Sequence, residues 1–229
     1  MVQSNPKRAP ASENPNASFV KNPILIRARR AVIVEAAIEV FWRKGFHSTR
    51  ISDIAKVAGL SQGSIYNYIE SKEALLYMVC EDHLSLYRDH VTNALADTAT
   101  PRERITRLID ATVEATFLFR RHFMIMLREI HHIAPARRRA FMRLAAEQRK
   151  FCQDILEEAV SMDEIGSPDP ALLANLLLFL PSFMAARGWD RGLSLDQSAV
   201  ERDLRGFILR GLGIEAGNSP RPNEPGNLE

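Results

Sequence analysis

The sequence predicts an all-α fold, with a small three-helix helix-turn-helix unit at the front and a larger helical body behind it. Three observations carry this expectation. Apolar residues recur at intervals of three and four through most of the chain, the spacing that gathers them on one face of a helix. Several of these runs open on Ser, Thr or Asp, and Thr100-Pro101-Arg102-Glu103 is a capping box with proline at the first helical position. No stretch alternates apolar and polar residues between turn formers, and nothing repeats at a fixed period. The 229 residues, 46% hydrophobic and 25% charged, have an ordinary globular composition, which excludes a chain disordered or collagen-like as a whole.

Taken in order, residues 1–22 carry Pro6, Pro10 and Pro15 among Asn and Ser and are expected to be a disordered arm. Ile33, Ala37, Val40 and Phe41 predict a first helix over roughly 25–44, stopped by Gly45. Thr49 is the expected cap of a short second helix with Ile51, Ile54, Ala55 and Ala58 on one side, ended by Gly59. Ser61 caps a third, also of about eight residues, with Ile65, Tyr68 and Ile69 inward. Ser71 caps a long fourth helix carrying Leu75, Leu76, Val79, Leu86, Val91 and Leu95.

The capping box starts a fifth helix bearing Ile105, Leu108, Ile109, Val113 and Phe117. Helical segments over about 121–133 and 135–162 follow, the latter with Phe141, Leu144, Gln148, Phe151, Ile155 and Ala159 along one side. Asp169-Pro170 opens a helix that is apolar nearly all round and is therefore expected to be buried all round. Ser194 with Gln197 boxes the last helix, which bears Val200, Leu204, Phe207, Ile208 and Leu212. The expected domains are an arm at 1–22, a helix-turn-helix domain at 23–72, a larger helical domain at 73–214 and a Pro- and Gly-rich disordered tail at 215–229.

Charge is divided unevenly. Residues 1–72 hold 11 Lys and Arg against 5 Asp and Glu, a balance of +6, whereas the remaining 19 against 23 leave the rest of the chain at −4. A basic front joined to a mildly acidic body suggests a phosphate-bearing partner for the front. Two cysteines, Cys80 and Cys152, are too few for a disulfide framework or a four-ligand zinc site, and no secretory leader opens the chain, so a cytoplasmic location is expected. The apolar run over 171–186 is broken by Asn175, Pro181 and Ser182 and is too short to cross a bilayer, so no membrane partner is expected.

Residues 49–69 carry the clearest chemistry. Two short helices joined by Ala58-Gly59-Leu60 have the helix-turn-helix form, with glycine taking the left-handed turn and Ala55 letting the helices approach. The solvent side of the second displays Gln62, Ser64 and Asn67, polar groups able to reach base edges in a major groove. Tyr66 and Tyr68 carry hydroxyls that can bind phosphates, and Lys21, Arg27, Arg29, Arg30, Arg43, Lys44, Arg50, Lys56 and Lys72 flank the reader with neutralising charge. A helix-turn-helix also occurs in purely structural corners, and it is the flanking charge that favours double-stranded DNA.

The run Gly45-Phe46-His47-Ser48-Thr49-Arg50-Ile51-Ser52-Asp53-Ile54-Ala55-Lys56-Val57-Ala58-Gly59-Leu60-Ser61-Gln62-Gly63-Ser64-Ile65-Tyr66-Asn67-Tyr68-Ile69-Glu70-Ser71-Lys72-Glu73-Ala74-Leu75 resembles the N-terminal signature of the TetR family of transcriptional regulators. It departs from the family pattern at Ile69, where phenylalanine is commonest; the position is expected to face the core. The resemblance implies that Thr49, Tyr68 and Lys72 hold phosphates, and that Gln62, Ser64, Tyr66 and Asn67 read or line the bases, with Gly63 permitting close approach. It further implies a DNA-binding domain followed by a ligand-binding and dimerisation domain. Beyond the fourth helix the likeness is architectural: a homodimer joined through the last two helices, here 172–186 and 194–212, with an effector cavity among helices 4 to 8.

Enzymatic signatures are missing. No Gly-rich phosphate loop, His-Glu-x-x-His or Gly-x-Ser-x-Gly occurs, so no enzyme, no cofactor and no metal is expected. Cys80 and His83 lie one helical turn apart but lack a third ligand. The segment 117–133 is apolar apart from Arg120, Arg121, His122, Arg128, Glu129, His131 and His132, and Pro181 should kink its helix beside Phe179, Phe183 and Trp189. The candidate ligand-contacting residues are therefore His83, Tyr87, Phe117, His122, Arg128, His131, Phe179, Phe183 and Trp189. Such a greasy site with a few cationic groups suits an amphipathic anion, for example an organic acid or an acyl thioester of coenzyme A. Each of these side chains could equally fill a core.

The expected function is a ligand-responsive regulator, a repressor, that binds a near-palindromic operator as a homodimer and is released when an effector favours a state with the reading helices at the wrong spacing. A constitutive, ligand-independent DNA-binding protein is the alternative, and an all-helical enzyme with an incidental helix-turn-helix is the third reading.

Overall fold

The computed structural model describes residues 23–166, 169–186 and 196–214. The expected arm and tail, Trp189 and the Ser194 cap lie outside them. Among the described residues every regular element is helical: α1 (Pro23–Lys44), α2 (Ile51–Val57), α3 (Gln62–Ile65), α4 (Lys72–Leu95), α5 (Pro101–Leu118), α6 (Arg120–Glu129), a 3-10 turn (Ile130–His132), α7 (Pro135–Ser161), α8 (Pro170–Ala186) and α9 (Gln197–Gly211). The chain divides into two compact units, Met1–Leu75 and Leu76–Glu229.

In the first unit, α2 packs on both α1 and α3. Ile33, Ala37, Val40 and Phe41 of α1 are buried, as are Ile51, Ile54 and Ala55 of α2 and Ile65 at the end of α3. Phe46 packs at a tilt against Phe41 with centroids 5.5 Å apart, and Ile69 is buried as its position required.

In the second unit, α5 is the central element and packs against α6, α7, α8 and α9. Its start keeps one half of the predicted capping box: Glu103 N–H donates to Thr100 Oγ1 at 3.1 Å and Pro101 fills the first turn, but the Glu103 carboxylate accepts from the Ala99 N–H, one residue before the cap, and not from Thr100. Ile105, Leu108, Ile109 and Ala115 of α5 join Cys152, Ile155 and Leu156 of α7, Ala174 and Leu177 of α8 and Leu209 of α9 in one core. α9 is also tied to α5 by Arg205, which donates from Nε to Asp110 at 2.6 Å, and the chain just after α9 is tied by Arg102, which donates to the Ile214 carbonyl.

Two expectations need correction. The apolar α8 is not buried all round within one chain: Ala174, Leu177 and Ser182 face the core, but Leu172, Leu176, Phe179 and Phe183 are more than half exposed. The third helix is four residues long and not eight. After Ile65 the chain tightens into turns, with Asn67 N–H donating to Ser64 and Tyr68 N–H to Ile65, because Tyr, Asn and Tyr in succession are poor helix formers.

Candidate nucleic-acid interface and ligand cavity

The α2–α3 joint follows from backbone hydrogen bonding. At the end of α2, Leu60 N–H donates to the Ala55 carbonyl at 2.9 Å and Gly59 N–H to Lys56 at 3.4 Å, with Gly59 at φ +66. This paired closure requires a left-handed residue between, which glycine adopts without a Cβ clash. Ser61 then caps α3, its Oγ accepting from Ser64 N–H at 3.1 Å and pairing with Ser64 Oγ at 2.7 Å. The capped helix presents Gln62, Gly63, Tyr66 and Asn67 to solvent, with Ser64 and Tyr68 half-buried. A Cβ placed on Gly63 would meet nothing within 4 Å, so the fold itself has no need of glycine there.

Thr49 does not cap α2. It is 2% exposed, and its hydroxyl donates to the Gly45 carbonyl at 2.7 Å. The cap position belongs to Arg50, whose N–H donates to the Asp53 carboxylate at 3.1 Å. That bond, with Lys44 3.0 Å away, holds the Asp53 carboxyl below the usual carboxylate range. Lys72 Nζ donates to three carbonyls of the preceding loop, Phe46 at 2.8 Å, Thr49 at 3.0 Å and His47 at 3.3 Å, and lies 4.4 Å from the centre of the Phe46 ring. An ammonium has three N–H donors. Thr49 and Lys72 are thus engaged inside the protein, tying the loop that leads into α2, while Arg50 and Lys56 stand exposed beside α3.

The second unit encloses a cavity of about 370 Å³. Its walls are Leu84, Phe123, Met126, Leu127 and Ile130 on one side, Phe141, Met142, Ala145 and Ala146 from α7, and Leu178 and Phe179 from α8. Polar groups are few: His83, Tyr87, Thr116, Gln148, Arg149, Asn175 and Ser182. Most are already occupied. Tyr87 donates to Thr112 Oγ1 at 2.8 Å, Thr116 to the Thr112 carbonyl, Ser182 to Leu178 and the Asn175 amide to Ala171.

Of the residues expected to contact a ligand, His83, Tyr87 and Phe179 line this cavity, whereas Phe117, His122, Arg128, His131 and Phe183 are not in its walls. His122 is buried with Nε2 3.3 Å from an Asp82 carboxylate oxygen, and His131 is exposed, its ring tilted against that of His132. Gln148 is a wall residue that the expectation missed, although an amide on the otherwise apolar inner stripe of α7 was a visible signal. Cys80 is fully buried, and burial pushes its thiol up to about 12, which keeps the proton that metal binding would have to displace.

A capped helix with an exposed polar face, set in a basic three-helix unit and followed by a helical body with a cavity, defines a helix-turn-helix DNA-binding transcription regulator. The profile of bacterial regulatory proteins of the tetR family matches residues 33–77, and that of the tetracyclin repressor-like C-terminal domain matches residues 98–185. The chain belongs to the TetR family. It is 26% identical over 192 residues to the HTH-type transcriptional repressor KstR2 of Rhodococcus jostii (strain RHA1), covering 80% of this chain and 91% of that protein. Among solved structures it is similar to the TetR family regulator PfmR from Thermus thermophilus, with TM-score 0.68, 27% identity and coverage of 79% of this chain and 98% of that one. Its fold also matches AibR, solved in complex with isovaleryl coenzyme A and operator DNA, with TM-score 0.67, 19% identity and coverage of 78% and 97%. These relatives are transcription regulators and not enzymes.

Proposed function

We propose that this protein is a cytoplasmic, ligand-responsive repressor that binds a near-palindromic operator as a homodimer and is released by a small amphipathic effector, an acyl thioester or an organic acid. The observation that carries the reading is the open space over Gly63 in the middle of an exposed, Ser61-capped row of Gln62, Tyr66 and Asn67. Gln62, Ser64, Tyr66 and Asn67 then line or read the base edges, and two α3 helices occupy successive major grooves with centres roughly 34 Å apart. Arg50, Lys56 and Tyr68 hold phosphates, and Thr49 and Lys72 act from behind by fixing the loop that presents Arg50.

The exposed stripe Leu172, Leu176 and Phe179 on α8, spaced four and three residues apart, supports a dimer seam that a second copy covers, together with Phe207 of α9. The cavity in the second unit supports effector control over a constitutive role, since an effector shifts operator affinity only by binding one state more tightly than the other. The test is fluorescence anisotropy on a duplex from the protein's own promoter region. Gln62→Ala and Tyr66→Ala should each weaken binding by about tenfold, the scale of one lost base contact. If neither does, the reading surface is wrongly assigned.

A further inference from the structure

Most polar groups in the cavity wall already have partners within the protein, but among the buried atoms of its described residues two have none: Nδ1 of His83 and Nε2 of Gln148. Their residues are 7% and 4% exposed. A buried amide N–H left without a partner costs about 1–3 kcal/mol; the Gln148 N–H is covered in this structure, and a ligand acceptor that displaces the cover recovers that cost. The orientation of the Gln148 amide is fixed. Arg88 donates from Nε to Gln148 Oε1 at 3.1 Å, and a guanidinium has only donors, so the oxygen must face the arginine and the NH₂ group is the one left over. The same contact polarises the amide and strengthens its N–H as a donor.

Charge in the cavity points the same way. Arg149 is the one formally charged side chain among the described wall residues, and it is exposed. Burial lowers the His83 imidazole to about 4, so that it is neutral at ordinary pH. A carboxylate brought to Gln148 would lose its hydration and meet a neutral amide N–H, with Arg88 already engaged by the amide oxygen and Arg149 out in solvent, whereas an uncharged oxygen pays a much smaller desolvation cost.

We infer that the cavity recognises an apolar ligand through one uncharged carbonyl oxygen, a ketone or a thioester and not a free carboxylate, held by Gln148 Nε2 with His83 as its neighbour. This rests on the effector-binding role proposed above and decides between the two effector classes named there.

The experiment compares three probes of matched chain length on the full-length protein: methyl nonyl ketone, the decanoyl thioester of N-acetylcysteamine, and decanoate. Affinity is read by calorimetry and by thermal melting at pH 7.5 or thereabouts, and operator release by anisotropy. The carbonyl probes should bind at least about tenfold more tightly than decanoate, and Gln148→Leu should remove most of that preference, the loss expected for one neutral hydrogen bond. Because Gln148→Leu also deprives Arg88 of its acceptor, His83→Phe provides a second variant, expected to weaken the carbonyl probes several-fold. Binding by both ketone and thioester supports recognition of the carbonyl alone, and binding by the thioester alone supports the same oxygen with added contacts to the thiol part. Decanoate binding as tightly as the carbonyl probes, a preference unchanged in both variants, or no binding by any probe overturns the inference. Calorimetric selectivity without any operator binding would sustain this inference while sinking the regulator reading; operator binding without the selectivity would do the reverse.

Discussion

At the residue scale, Gly63 separates the needs of the fold from those of the partner. Its backbone is helical and its missing Cβ faces open space, so Gly63→Ala should raise thermal stability slightly, by up to about 1 kcal/mol, the ordinary gain of alanine over glycine in a helix. The same methyl should weaken operator binding; comparing melting with anisotropy on one preparation shows whether the two move in opposite directions. Lys72 behaves otherwise. With its ammonium bonded to three loop carbonyls, Lys72→Met should lower stability by about 2 kcal/mol, readable as a reduced denaturation midpoint before any effect on DNA is considered. His83 sets a pH dependence. Burial first, and then the charge of nearby His122, lower it from 6.5 to about 4, with Asp82 opposing. Between those values the unfolded chain takes up a proton that the folded chain refuses. The contribution is therefore complete above about pH 6.5 and is lost as the pH falls toward 4, with a ceiling on the order of 3 kcal/mol. His83→Gln should flatten this part of a melting-temperature profile, and an unchanged slope would show that the imidazole is not held neutral.

At the element scale, what the sequence made legible was local. The Thr100 cap and first-turn proline of α5, the Gly45 and Gly59 stops and the inner faces of α1 and α2 depend on residues within a turn or two of each other, and they stand in the structure as read. The shortness of α3 was not foreseen, because periodicity marked Tyr68 and Ile69 as inward without saying that the chain reaches them by tight turns. Thr49 and Lys72 illustrate the other limit: their bonds run to carbonyls of the loop after α1, up to 26 residues away in sequence for Lys72, and no local pattern records them. The cavity was half legible. His83, Tyr87 and Phe179 could be named from helical faces, but the pairing of Gln148 with Arg88 spans 60 residues and joins α4 to α7. In α8 the uniform apolar composition concealed two faces with different tasks, one in the core and one open. Leu176→Arg should leave the helix and its core contacts intact and shift sedimentation from dimer to monomer. A dimer of undiminished stability would place the seam elsewhere.

At the scale of the whole molecule, the two units divide the chemistry: the first is basic and carries the polar-faced α3, the second carries the cavity, and no described helix is long and apolar enough to cross a membrane. The proposed function depends above all on α3 reading duplex DNA while its cationic neighbours grip the phosphates. The most direct measurement is the affinity of the full-length protein for a duplex from its own promoter region across a salt series, with an unrelated duplex as competitor. Binding should be saturable at two protomers per site, resist the competitor and weaken linearly in log affinity against log salt, with a slope set by the number of phosphates neutralised. Equal affinity for both duplexes, or none for either in dilute buffer, would contradict it.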